Sequence, residues 1–301
     1  MNMNKIRFFL ITSIALSMIL TTEFYDLNHN GLWDPGEDLI NNKQNKFITI
    51  GGSVTEVVFK LGLGASVVGV DASSSFPKRV KDLPQVGYHR SISSEGILSM
   101  MPTKIIATTD MGPPVVVKQI KNSGVDVEIY NSPKSIDDII NLIDDIAILF
   151  DVEKNANLVK DQMYAFKKEI DNICLKYKKP PKVAFFMNPS TGSYSAAGAN
   201  TNANYLIELI GGVNVFKNDF HRYQKVSKEQ ILKYNPDLIL VASYSKKESA
   251  SFHFLNGLEF QSLKSVKKDN VIDIEMSDLT MGPSFVSNAL SILNKVKIDS
   301  K

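Results

Sequence analysis

The sequence predicts an α/β protein of two doubly wound lobes bridged by one long helix, and three observations predict it. Short apolar strands alternate with amphipathic helices across residues 46–134 and again across 179–301. Between these stretches, residues 135–178 contain neither Pro nor Gly. They keep an apolar period near 3.6 through Ile136, Ile139, Ile140, Ile143, Ile146 and Phe150, then Val159, Met163, Phe166, Ile170 and Cys174 after the charged stretch 151–157, which reads as one long helix or two collinear ones. The chain has 301 residues with 44% apolar and 22% charged content, enough for one large or two ordinary folded domains.

The first segment, residues 1–22, carries Lys5 and Arg7 ahead of an apolar run from Phe8 to Leu20. A basic head before a short apolar core is the pattern of a secretory signal, and the run is short for a membrane span. No Ala-x-Ala site closes it, so two readings stand: a cleaved signal and a retained N-terminal anchor. Both place the body of the protein outside the cytoplasm. Removing residues 1–22 takes one Lys and one Arg from the 34 basic residues and nothing from the 32 acidic ones, leaving the charges in balance. That balance argues against nucleic acid as a partner. Cys174 is the only cysteine, so the chain has no intramolecular disulfide and no cysteine-based metal site.

Residues 23–45 are polar and rich in Asn and Asp. Asp26, Asn28, Asn30, Asp34 and Glu37 place oxygen ligands at positions 1, 3, 5, 9 and 12 of an EF-hand-like loop. Gly31 stands at position 6, where such a loop turns sharply, and Leu32 at position 7 would contribute its carbonyl. The flanks are poor: the signal segment lies upstream, and Pro35-Gly36 precedes the last ligand. A structural Ca²⁺ loop and an Asx-rich linker that matches by chance both fit.

The first lobe begins with a strand at 47–50 and the turn Gly51-Gly52. Ser53 is read as an N-cap with Glu56 completing a capping box, and Val54, Val57, Val58 and Leu61 form one helical face before Gly62. Further strands are expected at 67–70, 104–107 and 127–130, with a helix at 115–122. The second lobe follows Pro180-Pro181. Strands are expected at 182–187, 238–242 and 271–274, and helices at 203–210, 227–234 and 285–296. A Gly/Ser/Asn-rich loop covers 188–201, and another loop carries His221 and Tyr223. The lobes repeat a pattern of short helix, Pro stop and buried strand, with an acid near each helix start at Glu95 and Glu229.

The stretch richest in chemistry is Leu-Pro-Gln-Val-Gly-Tyr-His-Arg at residues 83–90, which sets a phenol, an imidazole and a guanidinium on consecutive residues after a glycine. An ordinary turn with a half-buried Tyr is the plainest reading. Enzyme motifs are missing: no Gly-x-Gly-x-x-Gly turn follows the first strand, and neither a P-loop nor a Gly-x-Ser-x-Gly elbow occurs.

Taken together, Ile50-Gly51-Gly52-Ser53-Val54-Thr55-Glu56, Gly69-Val70-Asp71, the octapeptide at 83–90, Ser94-Glu95-Gly96-Ile97-Leu98 and Gly211-Gly212-Val213-Asn214 resemble a known family across residues 46–301. It is that of the substrate-binding proteins of ABC importers, and within it the haem-binding branch; relatives bind cobalamin and ferric siderophores. The resemblance implies an exported, periplasmic or cell-surface receptor that captures haem between its lobes, performs no catalysis and delivers its cargo to a membrane permease. It implies that Tyr88 is the haem-iron ligand, an established mode of haem ligation, and that Arg90 pairs with a propionate or with the ligating oxygen. His89 would point away if the segment is extended, as a bystander or at most a second ligand. From the second lobe, Tyr194, Asn200, Thr201, His221 and Tyr223 are candidates for the other wall, His221 equally reading as a surface histidine. Glu95 and Glu229 match the family's permease-docking acids. One departure stands out: relatives often carry an arginine after the Gly-Pro-like turn near the end, where this chain has Ser284 after Gly282-Pro283.

Overall fold

The computed structural model describes residues 5–7, 23–25, 45–190, 193–243 and 251–297. Lys5–Arg7 (β1) pairs antiparallel with Glu23–Tyr25 (β2). The apolar run at 8–20 and the EF-hand-like loop at 26–37 lie outside the described residues. The chain divides into two compact units, Met1–Gln162 and Met163–Lys301.

The first unit is built on a four-stranded sheet of Phe47–Ile50 (β3), Val67–Val70 (β4), Lys104–Thr108 (β7) and Asp126–Tyr130 (β8), in the order β4-β3-β7-β8. All its pairings are parallel. Parallel strands need crossovers, and Gly52–Lys60 (α1) and Pro114–Asn122 (α3) supply two of them. The near-continuous apolar strands reflect burial: Ile48, Ile50, Ile105 and Ala107 are enclosed with Ile92, Ile97 and Ile120. A small hairpin of Gly87–Tyr88 (β5) and Ser91–Ile92 (β6) leads into the short helix Ser94–Ser99 (α2).

Two expectations are corrected here. Ser53 does not cap α1. Gly51 occupies the cap with φ +113°, while Ser53 and Glu56 are buried inside the helix. A Cβ on Gly51 would lie 2.8 Å from Thr108 Oγ1, so only glycine fits this approach of backbone to strand. The long helix is also interrupted: Ile136–Leu149 (α4) ends before Glu153–Cys174 (α5) begins. Asp151 adopts φ +55°, its N–H donates to Ile148 O at 3.5 Å, and the Val152 N–H donates to Ala147 O at 2.9 Å. This is a Schellman stop with aspartate in the position glycine usually takes. Phe150 packs its ring 4.9 Å from that of Phe47, and Asn155 Nδ2 donates to Leu61 O at 2.9 Å, so the break serves tertiary contacts. The boundary between the two units falls inside α5.

The second unit holds a six-stranded sheet. Lys182–Ser190 (β9), Leu238–Ser243 (β13) and Val271–Glu275 (β14) run parallel, and Val213–Asn214 (β11) joins the start of β9 in parallel. Ser193–Ala197 (β10) runs antiparallel to β9, and Tyr223–Val226 (β12) antiparallel to β10. The stretch read as a loop at 188–201 is therefore largely strand, and the sheet is mixed. Tyr194 and Ala196 alternate inward along β10, a period-2 signal hidden among small polar residues. The remaining helices are Asn202–Leu209 (α6), Lys228–Tyr234 (α7), Phe252–Asn256 (α8), Lys264–Lys267 (α9) and Ser284–Leu293 (α10). Asn214 ties three elements together: its Nδ2 donates to Ala197 O at 2.9 Å and Asn204 Oδ1 at 3.0 Å, and its Oδ1 accepts from the Phe216 N–H at 3.0 Å.

Candidate functional site

The octapeptide is held by backbone on two sides. Val70 N donates to Pro84 O at 3.0 Å, Val86 N to Val70 O at 2.9 Å and Ala72 N to Gly87 O at 2.8 Å, which lays residues 84–87 along the end of β4. On the other side Gly112 N donates to His89 O at 2.8 Å and Ile92 N to Gly112 O at 3.1 Å. Gly87 faces Ile92 and Tyr88 faces Ser91, so His89 and Arg90 form the two-residue turn at the tip. Exposed polar and aromatic side chains on a loop pinned to a rigid sheet in this way suit a binding role.

Tyr88 is 50% exposed, high for an aromatic side chain in a folded unit. His89 does not point away. The hairpin turn replaces the extended conformation that alternation assumed, and the two rings lie 4.0 Å apart between centroids, tilted by 45°. The His89 side chain is only 14% exposed because its Nδ1 sits 3.1 Å from Ser73 Oγ and 3.5 Å from Asp71 Oδ2. Asp71 is fully buried at the end of β4 and takes hydrogen bonds from the Gly51 and Ser73 N–H groups and from the Ser73 and Ser74 hydroxyls. Four donors satisfy a carboxylate that burial would otherwise make costly. Arg90 is 65% exposed, with Nη2 3.5 Å from Asp110 Oδ1. The other Asp110 oxygen accepts from Ser132 Oγ at 2.6 Å. A long contact at the surface binds the guanidinium weakly and leaves it available to an incoming anion.

On the second unit the structure brings together some of the predicted residues and removes others. Tyr194 is 5% exposed, its ring packed against those of Phe186, Phe254 and Phe260. It belongs to the core, because β10 turns it inward. Thr201 is the N-cap of α6: its Oγ1 accepts from Asn204 N at 3.0 Å and donates to Gly198 O at 3.0 Å. Asn200 and His221 are exposed and adjacent, Nδ2 to Nδ1 at 3.2 Å, through a bridge between Ala199 and His221. Tyr223 is half-buried at the start of β12, 6.2 Å from the Phe185 ring. Sequence reasoning missed Arg222, which is exposed and held at φ +61°, a left-handed conformation unusual for a residue with a Cβ. Asp71 and Ser73 were missed as well, since only tertiary pairing carries them to His89. Ser284, the residue noted as a departure after Gly282-Pro283, is buried in the first turn of α10.

Glu95 and Glu229 occupy equivalent places, each the second residue of a short helix after a serine N-cap, Ser93 and Ser227, and each is exposed. Hydrogen bonds from the Ser227 hydroxyl and from its own backbone N–H hold the Glu229 carboxyl below the usual range. Among the described residues, no group of three His, Cys, Asp or Glu side chains is placed to hold a bare metal ion.

Comparison with known proteins matches this architecture. The chain is 28% identical to the periplasmic heme-binding protein RhuT from Roseiflexus sp. RS-1, over 83% of this chain and 97% of that one, with a TM-score of 0.73. It is also 28% identical to the periplasmic heme-binding protein HutB of Vibrio cholerae, over 83% and 98%, with a TM-score of 0.73. By sequence it is 24% identical to the vitamin B12-binding protein of Vibrio parahaemolyticus, over 69% of this chain and 74% of the relative. The sequence model described as periplasmic binding protein matches residues 48–277. With most of the chain matched, including both units' sheets, this protein belongs to the periplasmic binding protein family.

Proposed function

We propose that the protein is the exported receptor of an ABC importer that captures haem and hands it to a membrane permease, with Tyr88 as the iron ligand. The observation that carries this reading is Tyr88 itself: a half-exposed phenol on a hairpin pinned by backbone on both sides, flanked by His89 and by a weakly held Arg90. A phenolate is a hard anionic donor suited to ferric iron, and tyrosine ligation of haem iron is an established mode. Arg90 would meet a propionate or the ligating oxygen, since a guanidinium makes charge-assisted bonds to either. On the second unit the exposed Asn200, His221 and Arg222, with half-buried Tyr223, offer further polar groups for the cargo. Arg222 would serve where Ser284 cannot. Glu95 and Glu229 are proposed to dock on basic residues of the permease, one from each unit. The two solved heme-binding relatives support the choice of cargo.

A second reading is favoured by the curated relatives, which are named vitamin B12-binding proteins. A corrinoid would not need the phenol as a ligand. Titration of the purified protein with haemin, followed by absorption, separates the two. A high-spin tyrosinate band that disappears in Tyr88→Ala supports haem. Haemin that keeps its free spectrum while cyanocobalamin binds would falsify the assignment of Tyr88.

A further inference from the structure

His89 stands at the tip of a two-residue turn, where a side chain ordinarily projects into solvent, yet its side chain is 14% exposed. What holds it is specific. The Ser73 hydroxyl donates its hydrogen to Asp71 Oδ2, so toward His89 that oxygen has only lone pairs to offer. Asp71 Oδ2, 3.5 Å away from the same Nδ1, is likewise an acceptor. Both neighbours demand a hydrogen on Nδ1, which fixes the tautomer and the ring orientation together. Asp71 cannot drift, because the Gly51 N–H, the Ser73 N–H and the Ser74 hydroxyl hold it from the start of α1 and from the turn after β4. Ser74 is in turn bonded to Thr55 at 2.7 Å, and Thr55 to Thr49 at 2.8 Å, so the chain of contacts runs back into the sheet.

The imidazole therefore presents a fixed face, and the Tyr88 ring rests against it at 4.0 Å. A tyrosine half in water would otherwise exchange among rotamers and lose that freedom on binding. Resting on a ring that cannot turn, it meets the cargo already oriented. We infer that Asp71, Ser73 and His89 form a positioning relay that sets the orientation of the Tyr88 phenol before iron arrives. His89 is a positioning residue in this account and does not touch the metal. The inference rests on Tyr88 being the haem ligand.

The test uses the full chain and the variants His89→Ala and His89→Gln, the latter keeping a donor for Ser73 without a ring. In the free protein, side-chain scalar couplings of Tyr88 report one rotamer in the wild type and averaged values in His89→Ala. Haem release to excess apomyoglobin is expected to quicken by about tenfold in both variants, with the tyrosinate band retained but its electron-paramagnetic resonance lines broadened. Melting temperatures should match the wild type, which separates positioning from a structural role. A wild type that leaves haemin free sinks the haem reading and the inference with it. A wild type that binds haemin through Tyr88, while His89→Ala keeps the same couplings and release rate, overturns the inference alone.

Discussion

Gly87 and Ser91 approach so closely across the hairpin that a Cβ on Gly87 would lie 2.8 Å from the Ser91 carbonyl oxygen. Gly87 also holds φ +101°, where a side chain is strained. Gly87→Ala is therefore expected to cost about 1–3 kcal/mol, because both the backbone angle and the contact must give. Urea denaturation measures the loss. Haem affinity should fall with it, since the hairpin carries Tyr88; an unchanged midpoint and affinity would mean the turn tolerates rearrangement.

Tyr88→Ala makes the complementary test. The side chain is 50% exposed, so its truncation should change stability by no more than about 0.5 kcal/mol. Haemin titration should nonetheless lose the tyrosinate band. Affinity loss accompanied by a large fall in stability would point to a packing role for the ring.

Asn214→Ala should destabilise the second unit by about 2–3 kcal/mol, since it removes the partners of Ala197 O, Asn204 Oδ1 and the Phe216 N–H in a buried setting. The check is the denaturation midpoint. An effect below the error of that measurement would show that water replaces the amide.

Glu95→Ala and Glu229→Ala, alone and combined, are expected to leave haem binding and melting unchanged while weakening stimulation of the permease ATPase in vesicles. Both carboxylates are exposed, each in the first turn of a short helix, so their loss removes surface charge and buries no orphaned group. The double variant should lose more than either single one, because the proposal gives each unit its own docking acid. Full stimulation by the double variant would remove these acids from the docking surface.

Calcium at millimolar concentration is expected to raise the melting temperature and a chelator to lower it, with Asp26→Ala abolishing the difference. The prediction comes from the oxygen ligands spaced through residues 26–37. Identical melting with and without the ion would leave these residues as a polar linker.

Local pattern was enough for much of the fold. The strands around Ile48, Ile105 and Leu240 are apolar runs between turn residues, and α4 and α5 keep a helical period, because burial on a sheet or helix face writes itself directly into residue order. Residues 83–90 stood out for the same local reason, a Pro and a Gly around three chemically distinct side chains, but their hairpin pairing was not legible there. Where the structure departed from that reading, the cause was distant contact. Asp151 ends α4 because the chain must turn to seat Phe150 on Phe47, and nothing in an aspartate requires a stop. Tyr194 looked like a ligand contact in a polar loop, and pairing of β10 with β9 and β12 turned it into core.

The sequence by itself determined that there are two α/β units, where most of their parallel strands and helices run, and that one stretch concentrates a phenol, an imidazole and a guanidinium. Only the tertiary structure decided what those groups face. Asp71 and Ser73 reach His89 because the end of β4 lies beside residues 84–87, and Arg90 reaches Asp110 because the segment after β7 backs the hairpin. Such pairings are set by sheet topology, and their energy depends on distance and burial, neither of which a linear order of residues contains.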